Sequence, residues 1–119
     1  FDQPIVGVSW PASLVRLEFG DAFNQPIAGV VWPASLQELE FGGLRASFDQ
    51  PIVGVSWPVS LVKLSFGDSF NQPIAGVVWP ASLQELGFGC NHPKFDQPIV
   101  GVEWPAPLRR VTRGRVILL

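Results

Sequence analysis

FDQPIVGVSWPASLVRLEFG, residues 1–20, recurs in close copies along the whole chain, restarting at Phe1, Phe23, Phe48, Phe70 and Phe95. The restarts lie 22, 25, 22 and 25 residues apart. A fixed period in this range marks a solenoid, in which each unit buries its apolar face only against its neighbours. The longer restarts carry three extra residues, within 43–47 and 90–94, and alternate with the short link Asp21-Ala22. Residues 1–47 and 48–94 agree at 37 positions, and five of the ten differences fall in this insert. The duplicated unit is therefore 47 residues long, with its insert expected as a loop on one edge of the stack.

Each repeat has the phase F-[DN]-Q-P-I-x-G-V-x-W-P-x-S-L-x-x-L-x-F-G. Its L-x-x-L-x-F part occupies 14–19, 36–41, 61–66 and 83–88. From Leu17 to Phe19 apolar and polar residues alternate, the period of a strand. The simplest reading is one short strand per unit, stacked in parallel on the next. Pro4, Gly7 and Pro11 punctuate the rest of the unit, and an interior proline costs a helix about 3 kcal/mol. Residues 5–10 fit either a second short strand or an extended polyproline II run. One unit holds seven large apolar residues: Phe1, Ile5, Val8, Trp10, Leu14, Leu17 and Phe19. Their burial does not offset the ordering of 22 backbone positions, so a unit is not expected to fold alone. Right-handed coiling is the expected hand for parallel crossovers.

Composition narrows the function classes. The chain has 119 residues, 47% apolar and 15% charged, with 12 glycines and 12 prolines. Such apolar content argues against disorder, and the prolines recur at fixed phases. The net charge of -2 has the wrong sign for a nucleic-acid binder. No apolar run approaches the roughly 18 residues of a membrane-spanning helix, so neither nucleic acid nor membrane is an expected partner. The single cysteine, Cys90, permits no internal disulfide. The chain opens at Phe1 without methionine and reads as a piece of a longer array, with any targeting signal outside it.

Stacked copies place equivalent residues about 4.8 Å apart. That spacing suits Phe, Leu and the tryptophan column Trp10, Trp32, Trp57, Trp79 and Trp104. It penalises like charges placed opposite one another. Two columns avoid this. The second repeat position runs Asp2, Asn24, Asp49, Asn71, Asp96, where an Asn amide is expected to bridge two carboxylates. Another position runs Arg16, Glu38, Lys63, Glu85, Arg110, changing sign at every rung. Both patterns predict stacking in register.

The run F-[DN]-Q-P-I followed by W-P-x-S-L-x-x-L-x-F-G resembles the FNIP repeat, a short relative of the leucine-rich repeat. The match is tight at Phe23-Asn24-Gln25-Pro26-Ile27 and at Ser35-Leu36-Gln37-Glu38-Leu39-Glu40-Phe41-Gly42, and the resemblance covers essentially the whole chain. It implies a β-rich, leucine-rich-repeat-like solenoid of about five 22–25-residue rungs, with a parallel sheet on one face and little or no helix. It further implies a protein-binding surface and supplies no catalytic residues. The P-x-S-L-x-x-L core is also similar to the short repeats of some bacterial effector proteins. The fifth unit departs from the pattern: Pro107 stands for Ser, Val111 for Leu and Arg113 for the ladder Phe. The array is expected to span 1–115, and residues 116–119 form an apolar tail that either covers the last rung or is disordered.

The candidate binding face consists of the polar positions of the strand segment: Arg16, Glu18, Gln37, Glu38, Glu40, Lys63, Ser65, Gln84 and Glu85, with Val15, Val62 and Gly87 among them. The competing reading is a solvated face whose charges neutralise one another. The Asp/Asn column is better explained by turn hydrogen bonds than by calcium, which needs oxygens at about 2.3–2.6 Å. Cys90 and His92 fall short of the four ligands of a structural zinc. Cys90 is expected as a loop thiol able to link two chains when oxidised. Ser13, Ser35, Ser60 and Ser82 recur in a turn-like P-x-S and are structural, since one His cannot serve four nucleophiles. Arg109, Arg110, Arg113 and Arg115 are expected to solvate the end of the stack; contact with an anionic surface or nucleic acid is the competing reading. The function that emerges is a non-enzymatic protein-interaction scaffold without cofactor or metal. Its partner is not identified, and self-association through open solenoid ends is the alternative.

Overall fold

A computed structural model describes residues 1–118. Five four-residue strands, β1 (Arg16–Phe19), β2 (Glu38–Phe41), β3 (Lys63–Phe66), β4 (Glu85–Phe88) and β5 (Arg110–Arg113), stack in parallel in chain order. No helix occurs among the described residues. The pairing is in register: Leu17, Leu39, Leu64, Leu86 and Val111 align, as do Phe19, Phe41, Phe66, Phe88 and Arg113. Five parallel strands bound about four turns of the solenoid, slightly fewer than the five rungs expected. Each strand is also shorter than the hexapeptide of the repeat, because the turn from Pro11 to Leu14 (Leu14 N to Pro11 O, 3.1 Å) occupies its first position.

The remainder of each unit is built of turns. Residues 5–10 form neither a second strand nor a straight extended run. The Val8 N–H donates to Ile5 O at 3.2 Å, and Gly7 sits at the turn's third position with φ 85°. A positive φ there is the mark of a type II turn and explains the glycine of the G-V motif. The same bond recurs at Val30, Val55, Val77 and Val102. Two of the four P-x-S serines tie rungs together: Ser35 Oγ donates to Leu14 O and Ser82 Oγ to Leu61 O, each at 2.6 Å.

The core is a set of side-chain columns. Ring stacking along the sheet joins Phe19, Phe41, Phe66 and Phe88 at 5.4–5.8 Å between centroids. A second column, Phe1, Phe23, Phe48, Phe70 and Phe95, stacks at 6.0–6.3 Å. The two columns lock at 4.0–4.4 Å, as between Phe88 and Phe95. The tryptophans stack from Trp10 to Trp32 and from Trp57 through Trp79 to Trp104. Offset aromatic pairs of this kind add about 0.5–1.5 kcal/mol each beyond area burial. Arg113 ends the strand-side column, its Nε donating to Phe95 O. It is half-buried, so it continues the ladder rather than simply solvating the end; Arg109, Arg110 and Arg115 are exposed.

β6 (Val116–Ile117) pairs antiparallel with β5, Thr112 facing Ile117 and Arg113 facing Val116. The reversal takes two residues, with Gly114 at φ 60° in the first central position, the requirement of a type II′ hairpin. Leu118 donates its N–H to Val111 O at 2.7 Å and packs against the core. Leu119, the last residue of the apolar tail, lies outside the described residues.

Candidate functional site: the groove across the strand face

Alternation along each strand turns the first and third residues away from the core. Across the sheet these form two columns. One is Arg16, Glu38, Lys63, Glu85, Arg110; the other is Glu18, Glu40, Ser65, Gly87, Thr112. The second column floors a groove of about 820 Å³ that crosses all five parallel strands. Lys63, Glu85 and Arg110 line one side; Asp21, Gly43 and Cys90, from the links and inserts, line the other.

Of the residues expected on the binding face, Glu18, Glu40, Lys63, Ser65 and Glu85 line this groove. Arg16 and Glu38 stand in the flanking column, and Gln37 and Gln84 precede their strands. Sequence reasoning passed over Thr112 and the rim residue Asp21; it read Arg110 as a rung of the charge column and Cys90 as a loop thiol, not as parts of the groove. Arg110 and Thr112 belong to the divergent fifth unit and continue both columns in register, Arg110 where the repeat phase placed it.

Charges on the face do not pair straight across the register. Arg16 reaches Glu18 at 3.6 Å and Glu40 at 3.7 Å, and Lys63 reaches Glu40 at 4.0 Å. Glu40 thus sits between two cations while lying directly opposite Glu18. Burial, followed by the hydrogen bond and the charge of Glu18, holds its carboxyl above the usual range; Arg16 and Lys63 act in the opposite direction. At the rim Cys90 is exposed and free, but partial desolvation and then the Asp68 and Glu40 carboxylates push its thiol up.

The Asp/Asn column works differently from the expected amide bridge between carboxylates. Asp2 Oδ1 accepts the Asn24 backbone N–H and the Gln25 side-chain amide, both at 2.9 Å. Asn24 Oδ1 does the same for Asp49 N (2.9 Å) and Gln50 Nε2 (3.0 Å), and Asp49 and Asn71 repeat the pattern. The next rung offers a backbone N–H and a Gln amide at a fixed height, so only an acceptor oxygen is needed. Asp and Asn each have one. The Asn24 N–H, and then Gln25, hold the Asp2 carboxyl below its ordinary range.

On the insert edge, Asp68 is buried and accepts three backbone N–H groups of the second insert. Cys90 and Asn91 donate to Oδ1 at 2.6 and 3.3 Å, and His92 donates to Oδ2 at 3.3 Å. Cys90 and His92 therefore serve the loop through their backbone, and no cluster of metal-ligating side chains occurs among the described residues.

Three comparisons bear on this geometry. No curated protein sequence matches the chain. A protein whose crystal structure is described as a novel circular LRR structure superposes with a TM-score of 0.82 at 41% identity, over 95% of this chain and 16% of its own. The chain thus spans about one sixth of that neighbour's length. The family model named FNIP Repeat matches residues 1–43 and 48–91. With the motif, the in-register parallel strands and the leucine-rich-repeat-like neighbour in agreement, the chain belongs to the FNIP repeat family.

Proposed function

We propose that this solenoid is a non-enzymatic protein-interaction scaffold that receives its partner in the groove of the strand face. The observation that carries the reading is where the two 47-residue copies have diverged. Within the strands they differ at three aligned pairs only: Arg16/Lys63, Glu18/Ser65 and Glu40/Gly87. All three lie on the outward columns, and five of these six residues line the groove. The inward Leu and Phe are identical in both copies. A face that merely needed solvation would tolerate change equally on the back of the solenoid, yet residues 1–15 and 48–62 differ only at Ala12/Val59.

The test is retention of proteins from source-cell lysate on the intact array and on a Glu40→Ala/Glu85→Ala bait, at two salt concentrations. A protein held by the first bait and lost from the second supports the reading. Recovery of only further copies of the same chain, equally on both baits, favours a self-associating structural array and overturns it.

A further inference from the structure

The groove is not uniform along its length, and its polarity names a class of occupant. At the β1–β2 end the floor carries Glu18 and Glu40, with Asp21 on the rim and Glu38 in the flanking column. Among the described residues the ion pairs at this end bring two cations, Arg16 and Lys63, to Glu18 and Glu40. In the middle the floor falls away, because Ser65 is small and Gly87 has no side chain. A Cβ placed on Gly87 would touch nothing closer than 3.5 Å. At the β5 end stand Arg110 and the Thr112 hydroxyl. None of the ion pairs among the described residues involves Arg110 or Glu85. The backbone turns at Gly20, Gly42, Gly43 and Gly89 leave one wall without bulky side chains.

Resting on the scaffold reading above, we infer that the groove takes an extended peptide segment laid across the strands, with a Lys or Arg over Glu18 and Glu40 and a carboxylate over Arg110 and Thr112. The spacing follows from the sheet. Three to four strand steps of about 4.8 Å separate the two ends, roughly 14–19 Å, which an extended chain covers in four to six residues. Side chains of an extended segment alternate in direction, so both charged groups face the groove only at even separations. The recognised pattern is a cationic and an acidic residue four or six positions apart, joined by small residues that fit over Ser65 and Gly87. Charge complementarity of this kind sets register and suppresses wrong partners more than it adds raw affinity.

The experiment is selection of random linear peptides of about a dozen residues, displayed on phage, against the whole 119-residue chain. The selected peptides are then synthesised and titrated by fluorescence anisotropy. The expected result is enrichment of oppositely charged residues at separations of four or six. Affinity should fall about ten-fold on Arg110→Gln or Glu18→Gln, weaken as salt rises, and vanish on Ser65→Trp, which fills the floor. Peptides that lack the charge pattern but are still lost on Ser65→Trp would overturn this inference and leave the scaffold reading of the groove standing. Peptides indifferent to Ser65→Trp bind elsewhere and would overturn both. An empty selection would overturn the peptide occupant, while the lysate experiment still decides the scaffold reading.

Discussion

Asp21 and Asp68 occupy the same position in the two 47-residue copies, and their surroundings have little in common. Asp21 is exposed, and its side chain accepts no hydrogen bond among the described residues. Asp68 is 8% exposed and holds three backbone N–H groups. The reason lies in the neighbours. The rung of Asp68 is flanked by both inserts: its N–H donates to Gly43 O of the first, and its carboxylate receives the second. Asp21 meets only the first, through the Ser47 N–H to its carbonyl at 2.8 Å. The glycine before each aspartate repeats the lesson. A Cβ on Gly20 would meet nothing within 4 Å, while one on Gly67 would lie 2.2 Å from Ala46 Cβ and 2.9 Å from Gly43 O. In a solenoid the flanking rungs assign a residue its role, and two copies whose inserts differ at every position turn the same aspartate into two different sites.

The largest effect should come from the glycines. Gly67→Ala forces the 43–47 insert off the stack and should cost about 3 kcal/mol. Gly20→Ala should be neutral to within roughly 0.5 kcal/mol. Urea denaturation of the two variants measures both, and equal losses would break the comparison. Next come the aspartates. Asp68→Ala removes the shared acceptor of three part-buried bonds and should cost about 1–2 kcal/mol. Amide exchange at Cys90, Asn91 and His92 should accelerate with it. Asp21→Ala should change neither.

A smaller effect tests the register. Glu38→Lys would line up three cations with Arg16 and Lys63, at a cost of about 0.5–1 kcal/mol that shrinks in salt. Unchanged stability at low salt would count against in-register stacking. The smallest concerns Glu40. Its folded carboxyl titrates above the usual range, so the folded state holds the proton more tightly than the unfolded chain does. Its contribution is then most favourable at low pH and is lost as pH rises from about 4.5 through the raised value. Glu18→Gln removes the opposing charge, and the slope of stability against pH in that window should flatten by a few tenths of a kcal/mol.

Much of this architecture was legible in the residues. The alternation of Leu17, Glu18 and Phe19 marked the strands, and the sign changes from Arg16 to Arg110 marked their register. The segment 5–10 was ambiguous, because Pro4 and Gly7 are compatible with several extended paths; the Val8-to-Ile5 bond that makes it a turn leaves no pattern of its own. The Asp/Asn column was visible, but its donors were not. Gln25, Gln50, Gln72 and Gln97 recur in every repeat, and their side-chain amides carry bonds between rungs. At the groove, the polar positions could be identified from strand period alone. Arg110 was already placed in the charge column by the repeat phase, but that it and Thr112 close one end of the groove shows only in the folded face. Asp68 was beyond reach for a physical reason: its partners are backbone N–H groups of the 90–94 insert, and a backbone donor leaves no mark in the residue types.

The oxygen-to-amide column has a consequence for how such chains can change length. Every rung offers the same acceptor on one side and the same donors on the other, so new units can be spliced in without redesigning any joint. The side chains add a rule of parity. Loss of residues 23–47 alone would bring Asp2 against Asp49 and Arg16 against Lys63, two clashes of like charge at one seam. Loss or gain of a full 47 residues preserves the alternation at every seam. Arrays of this design are thus free to grow and shrink, but by even steps.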